Sequence, residues 1–160
     1  MKQKERNILL GHGSGGKMMH DLIETVFIKH FSNSILIDQT DAAILSSGST
    51  DIAFTTDSFV IDPLFFPGGN IGKLAVCGTV NDLAVSGAEP LYLSVSFIIE
   101  EGFLVSELEL IAESLAAEAR KAGVLIVTGD TKVVNKGKCD KLFINTSGIG
   151  KISKENLNIS

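Results

Sequence analysis

With 160 residues, 44% of them hydrophobic, and no low-complexity tract, the chain has material for one core and one domain. Its formal net charge is −5 and its 14 basic residues form no stripe, which excludes the electrostatic footprint of a nucleic-acid binder. The apolar runs fall short of the roughly 20 residues that cross a bilayer, and the polar start Met1 to Arg6 leads into no signal-peptide core, so the expectation is a soluble, cytoplasmic protein.

The first informative stretch is Gly11-His12-Gly13-Ser14-Gly15-Gly16-Lys17, behind the apolar Ile8-Leu9-Leu10. Its glycines free the backbone to approach a ligand, and Lys17 supplies a cation where a polyanion would sit. The spacing matches a Walker A motif up to the last position, where Met18 replaces the Ser/Thr that normally holds magnesium. A phosphate loop with its metal held elsewhere and a merely flexible loop with a solvated lysine stand about even on this stretch alone. His12 stays open because it lies within the loop.

From Lys17 to Phe31, Met18, Met19, Leu22, Ile23, Val26, Phe27 and Phe31 keep a helical period, so a helix starts directly after the loop. His20 and His30 fall on it at the wrong spacing for joint metal ligation and read as surface residues. Short strands follow at Ile35 to Ile37, Ala42 to Leu45 and Ile52 to Thr56, the last two forming a hairpin across Ser46 to Thr50. Pro63 to Asn70 reads as a loop, and Ile71 to Val85 as a small-residue helix ending at Ser86-Gly87. Cys77 within it reads as core, Cys139 as exposed; two distant cysteines indicate neither a disulfide framework nor a zinc site.

Leu91 to Ile99 is a strand candidate, and Ser106-x-x-Glu109 reads as a capping box opening a helix through Lys121, with Leu108, Ile111, Leu115 and Ala119 on its inner face and Gly123 as its stop. Strands at Val124 to Val127 and Leu142 to Thr146 complete the chain. The order of elements points to an α+β fold, a mixed or antiparallel sheet with helices on one face. No internal repeat is visible.

Four aspartates carry the chemistry. Asp41 opens a strand, Asp57 and Asp130 end strands, and Asp82 sits with Asn81 in an otherwise apolar helix, where an unpaired carboxylate costs several kcal/mol and needs water, a hydrogen bond or a metal. Each alone is ordinary turn chemistry; together with the glycine loop they suit Mg²⁺, a hard cation that takes a few carboxylates while bridging to phosphates. Asp38, Asp51 and Asp62 are weaker candidates. Lys132, after Gly129-Asp130-Thr131, reads equally as a phosphate contact and as a solvated lysine.

The segments from His12 to Lys17, Phe54 to Val60, Asp62 to Gly69, Gly78 to Ala84 and Gly129 to Val134 resemble the HypE family of hydrogenase expression/formation proteins. That family lies within the AIR synthetase superfamily, with selenophosphate synthetase, thiamine-phosphate kinase and formylglycinamidine ribonucleotide amidotransferase. The resemblance runs from about Leu9 to Gly150; Thr-Thr-Asp and Asn-Asp-Leu are superfamily elements, whereas Asp62-Pro63-Leu64-Phe65-Phe66-Pro67-Gly68-Gly69 points to the HypE type. It implies an ATP- and Mg²⁺-dependent maturase for nickel–iron hydrogenases, which dehydrates the thiocarboxamide of a C-terminal cysteine to a thiocyanate, the source of the cyanide ligands. It also implies a homodimer whose sheets pair into a β-barrel, a HypF-type carbamoyltransferase as carbamoyl donor, and a HypC–HypD-type complex downstream.

Carried over by motif, Gly13, Ser14, Gly15, Gly16 and Lys17 become the phosphate loop, and Asn81, Asp130, Thr131 and Lys132 nucleotide contacts. Asp41, Asp57, Asp82 and Asp130 become the metal residues, with Lys17 and Asp57 the catalytic pair. The implied organisation is a mobile, loop-bearing segment over 1–16, an ATP-binding domain over 17–150 and a linker over 151–160 toward a second domain. Family members run to roughly twice this length and end in the acceptor cysteine, a role that neither Cys77 nor Cys139 can fill, so this stretch alone is expected not to complete the dehydration. Two other readings stay open: a non-catalytic dimerisation and docking module, and another superfamily enzyme of the thiamine-phosphate kinase or selenophosphate synthetase type.

Overall fold

The helical period from Lys17 to Phe31 is realised as three consecutive segments, α1 (Lys17–Leu22), a π-helical Ile23–Ile28 and α2 (Lys29–Phe31), in a computed structural model that describes residues 7–31, 33–48 and 50–152. The widening to π geometry coincides with Thr25, whose hydroxyl donates to the Asp21 carbonyl at 2.6 Å and competes with the backbone ladder. Phe27 and Phe31, one turn apart, stack with ring centroids 6.2 Å apart. The chain divides into two units, the first ending at Gln39 and the second beginning at Thr40.

The expected strand over Ile35 to Ile37 is instead a 3₁₀ turn, Leu36–Asp38. The Asn33 side chain is the reason: its Oδ1 accepts from the Ile35 and Leu36 amides at 2.9 Å each, an Asx-type turn that commits the chain to tight curvature whatever its apolar content. The polar start Met1 to Arg6, and the stretch from Ser153 to Ser160 that makes up most of the expected linker, lie outside the described residues.

In the second unit, β1 (Ala43–Ser47), β2 (Thr50–Phe59), β5 (Ala88–Glu100), β6 (Leu125–Val134) and β7 (Leu142–Ile152) form one sheet in the order β1-β2-β7-β5-β6. All neighbours run antiparallel except β5 and β6, which are parallel and joined through α4 (Val105–Ala122). The sheet is therefore mixed, as the element order requires. The β1–β2 hairpin forms where expected. The segment read as a loop after Pro63 contains a small hairpin, β3 (Phe65–Phe66) and β4 (Gly69–Asn70), turned by Gly68 at φ 95°.

Alternation along the central strands sets the two faces. Leu142, Ile144, Thr146, Gly148 and Ile152 of β7 are buried toward α3 (Ile71–Val85) and α4, whereas Phe54, Tyr92 and Ile149 lie exposed on the other face. The main core joins Ile71, Val76, Leu93, Ile111, Leu115 and Ile144. Helix α3 packs directly on β7 because Gly148 has no side chain: a Cβ there would come within 2.8 Å of Thr79 and 2.9 Å of Leu83.

Both long helices end as expected, at Ser86-Gly87 and at Gly123 with φ 71°. The capping box of Ser106 and Glu109 does not form. Helix α4 starts one residue earlier, at Val105, and the Leu104 carbonyl accepts from Glu107 and Leu108, which leaves Ser106 inside the first turn. Cys77, expected in the core, is exposed, and Cys139 is partly buried rather than exposed. α3 is apolar nearly all round, so its sequence does not tell the inward positions Ala75, Val76 and Thr79 from the outward Cys77.

Candidate functional site

Helix α3 and strand β2 bring two of the four aspartates together. On a strand, residues two apart share a face, so Thr55 and Asp57 both point toward α3; on a helix, residues four apart share a face, so Gly78 and Asp82 both point back at them. Gly78 is what permits the approach, because a Cβ there would stand 2.9 Å from the Phe59 ring and 3.7 Å from the Asp57 carboxylate. The Thr55 hydroxyl lies 3.2 Å from Asp82 Oδ2 and 3.0 Å from the Asp41 carbonyl, tying the segment before β1 to the helix carboxylate.

This crowding raises the proton affinity of Asp57 above the ordinary carboxylate value of 3.8. Partial burial is the main cause, followed by the negative charge of Asp82 and a hydrogen bond between the two carboxyls. Beneath them Thr146, which faces Asp57 across the β2–β7 ladder, shares a short, fully buried hydrogen bond with Thr79.

The remaining aspartates lie elsewhere. Asp41 is exposed just before β1 and contributes its backbone carbonyl to Thr55. Asp130 does not end its strand: β6 continues to Val134, and Asp130 pairs with Ser96, which pairs with Asn145 and it in turn with Ser58. That row belongs to the open face, so the sheet separates Asp130 from Asp57 and Asp82. Its carboxylate is 3.5 Å from Lys132, an exposed pair. Thr131 lies between them in β6, and Asn81, beside Asp82, is exposed. Asp57 also stops short of the strand end, since β2 runs on to Phe59. Of the weaker candidates, Asp51 accepts from Ser46, Asp62 pairs with Lys141 at 2.6 Å, and Asp38 closes the 3₁₀ turn Leu36–Asp38 of the first unit.

Within the first unit, Leu10–Gly13 form a 3₁₀ turn, His12 Nδ1 accepts from the Leu9 amide at 2.9 Å, and Ser14 donates to the Gly11 carbonyl. Gly15 takes φ 76°, Gly16 caps α1 through its backbone, and Lys17 is the first residue of that helix. The turn and α1 border a cleft of about 740 Å³ lined by Leu9, His12, Met18 and Leu22 among others. Gly13, Ser14, Gly15, Gly16 and Lys17 are all exposed.

Among the described residues no three acidic, histidine or cysteine side chains converge on one point. The protein thus offers a hard cation two carboxylates and a hydroxyl at Asp57, Asp82 and Thr55. That donor set fits Mg²⁺, which keeps several waters and is commonly bound through one or two carboxylates plus substrate phosphates. Thr55 and Gly78 have no role that residue type alone announces. The i, i+2 and i, i+4 spacings of Thr55–Asp57 and Gly78–Asp82 were the signal that places them.

A mixed five-stranded sheet covered by helices on one face, with a strand carboxylate held against a helix carboxylate, defines an α+β domain of the AIR synthase type. The chain belongs to that family: the model for the AIR synthase related protein, N-terminal domain, matches residues 39–152. It is 57% identical over 151 residues to the carbamoyl dehydratase HypE of Escherichia coli K12, covering 91% of this chain and 45% of that protein. Among solved structures, a HypE–HypF complex matches with TM-score 0.78 and 57% identity, over 83% of this chain and 43% of the other. A HypE in complex with ATP matches with TM-score 0.65 and 54% identity, over 93% and 44%. The chain spans less than half the length of the curated relatives it matches. No helix among the described residues is long and apolar enough to cross a membrane.

Proposed function

We propose that the chain is the Mg–ATP-binding N-terminal half of a HypE-type carbamoyl dehydratase acting in cytoplasmic nickel–iron hydrogenase maturation. The observation that carries this reading is the juxtaposition of Asp57 and Asp82, which Gly78 permits and Thr55 ties together; partial burial first, and the charge of Asp82 second, oppose ionisation of Asp57, and a bound divalent cation offsets both. The similarity to a HypE bound to ATP supports the choice of nucleotide. Similarity to a HypE–HypF complex supports a HypF-type carbamoyltransferase as partner.

In this reading Asp57 and Asp82 hold the cation, Thr55 orients Asp82, and Gly13 to Lys17 cradle the phosphates. When bound, Mg²⁺ neutralises phosphate charge. Asp130, Thr131, Lys132 and Asn81 are assigned to nucleotide contacts, and Asp41 to the outer edge of the metal site. Asp130 faces away from Asp57, so in this reading it serves the nucleotide site of a second copy, in keeping with the homodimer that the HypE resemblance implies. The overall reaction takes the elements of water from the cysteine thiocarboxamide, leaving a carbon–nitrogen triple bond, while ATP becomes ADP and phosphate. The protein's part is positioning and charge neutralisation. A HypC–HypD-type acceptor completes the sequence.

The test is ATP affinity of Asp57→Asn and Lys17→Ala, read by displacement of a fluorescent ATP analogue in the presence of Mg²⁺. Each variant is expected to bind at least about tenfold more weakly, the loss of one charge-assisted contact. Unchanged affinity in both overturns the assignment.

A further inference from the structure

Pro63, Leu64 and Phe65, from the stretch Asp62 to Gly69, have no part in the nucleotide reading, yet they build one wall of a second concavity. The opposite walls are the Glu100 to Leu104 corner between β5 and α4 and the loop leading to Lys141; together they enclose a cleft of about 410 Å³. Its floor is apolar, with Leu64 buried and Phe103 packed against the main core. At the mouth, Phe65 is 38% and Leu104 59% exposed, an amount of apolar surface that the fold itself leaves uncovered.

The rim is acidic. Lys141 is already paired with Asp62 at 2.6 Å, and Glu100 accepts from the Gly137 amide, which fixes the loop. Glu101 and Glu107 form no ion pair among the described residues, and they outnumber the one remaining cation, Lys136. An apolar pocket of this size, within the roughly 300–1,000 Å³ that binding sites occupy, selects for one bulky anchor side chain; two unpaired glutamates beside it select for neighbouring positive charge. A second copy of the chain is a poor occupant, since it would bring the same glutamates and a net charge of −5.

We propose that this cleft docks an extended peptide segment of a partner protein, inserting one aromatic or leucine side chain flanked by lysine or arginine. The inference is independent of the nucleotide site, because none of the cleft residues belongs to it.

The test uses the 160-residue chain, isotope-labelled for amide NMR, and two hexapeptide probes, acetyl-Gly-Lys-Phe-Leu-Lys-Gly-amide and its counterpart with both lysines replaced by glutamate. The lysine probe is expected to shift the Leu64, Phe65, Phe103 and Glu107 amides saturably, with at least tenfold tighter binding than the glutamate probe. The Glu101→Lys/Glu107→Lys double variant should reverse that order, and Leu104→Ser, which removes an exposed apolar side chain and keeps the backbone carbonyl that opens α4, should weaken both probes. Three results would each overturn the proposal: no saturable shift at these amides up to millimolar peptide, a charge preference unchanged in the double variant, or saturation of the same amides on raising protein concentration alone, which assigns the cleft to a second copy.

Discussion

Asp57→Asn separates the electrostatics of the carboxylate pair from its packing. The side chain keeps its shape and can donate an amide hydrogen to Asp82, but the second negative charge is gone. Partial burial, the larger cause, and repulsion from Asp82 both oppose an ionised Asp57, and Asn removes both; two unit charges about 4 Å apart repel by about 4 kcal/mol at an effective dielectric near 20, and because both carboxyls remain within reach of water, screening reduces the net effect to about 1 kcal/mol. The direction of the Asp57 shift fixes the pH dependence. Its folded pKa is raised above 3.8, so between the unfolded and folded values the native state binds more protons than the unfolded chain. The stability tied to that proton is fully present below the unfolded pKa and is lost as pH rises through the folded one. Asp57→Asn should therefore raise the unfolding free energy by about 1 kcal/mol at pH 7.5, and the gain should vanish at pH 3, where Asp57 is protonated in both states. Urea unfolding at the two pH values, without metal or nucleotide, measures both. A loss of stability at pH 7.5, or a gain that persists at pH 3, would refute the carboxylate-pair argument.

Other positions test the scaffold beneath the site. Ile111→Ala removes a fully buried side chain from the main core and should cost about 2–5 kcal/mol in urea unfolding. Asn70 caps α3 by accepting from the Gly72 and Lys73 amides at 2.9 and 3.1 Å, so Asn70→Ala should cost about 1 kcal/mol, seen as a lower thermal midpoint by circular dichroism. Gly129→Ala would force a Cβ to 2.1 Å from the Val95 carbonyl; loss of amide-exchange protection along β6 with the β2–β7 ladder intact is the expected pattern. Lys141→Ala breaks an exposed ion pair and should leave the urea midpoint nearly unchanged, with any difference shrinking in high salt.

Legibility in the sequence followed local periodicity. The start of the helix at Lys17, the helix at Ile71 and the inner face of α4 through Ile111, Leu115 and Ala119 follow from apolar spacing or terminal glycines, which act locally, whereas the π-helical Ile23–Ile28 inside the first of them has no such signal. Strand lengths did not follow, since β6 carries Thr128 to Lys132 as an exposed edge with no apolar alternation to announce it. That is why Asp130 read as a strand end and why its face was hidden. Asp57 and Asp82 were legible as chemistry, but their contact depends on Gly78 and on the register of β2 against α3, both tertiary facts. The turn at Asn33 shows the converse: one side-chain acceptor outweighed three β-branched or apolar residues.

The central claim, that this chain carries a cation-dependent nucleotide site on Asp57 and Asp82, is tested most directly by calorimetric titration of ATP into the 160-residue chain with and without Mg²⁺. Binding should require Mg²⁺ and be lost in Asp57→Asn. Binding that is indifferent to Mg²⁺, or no binding at all, would contradict it.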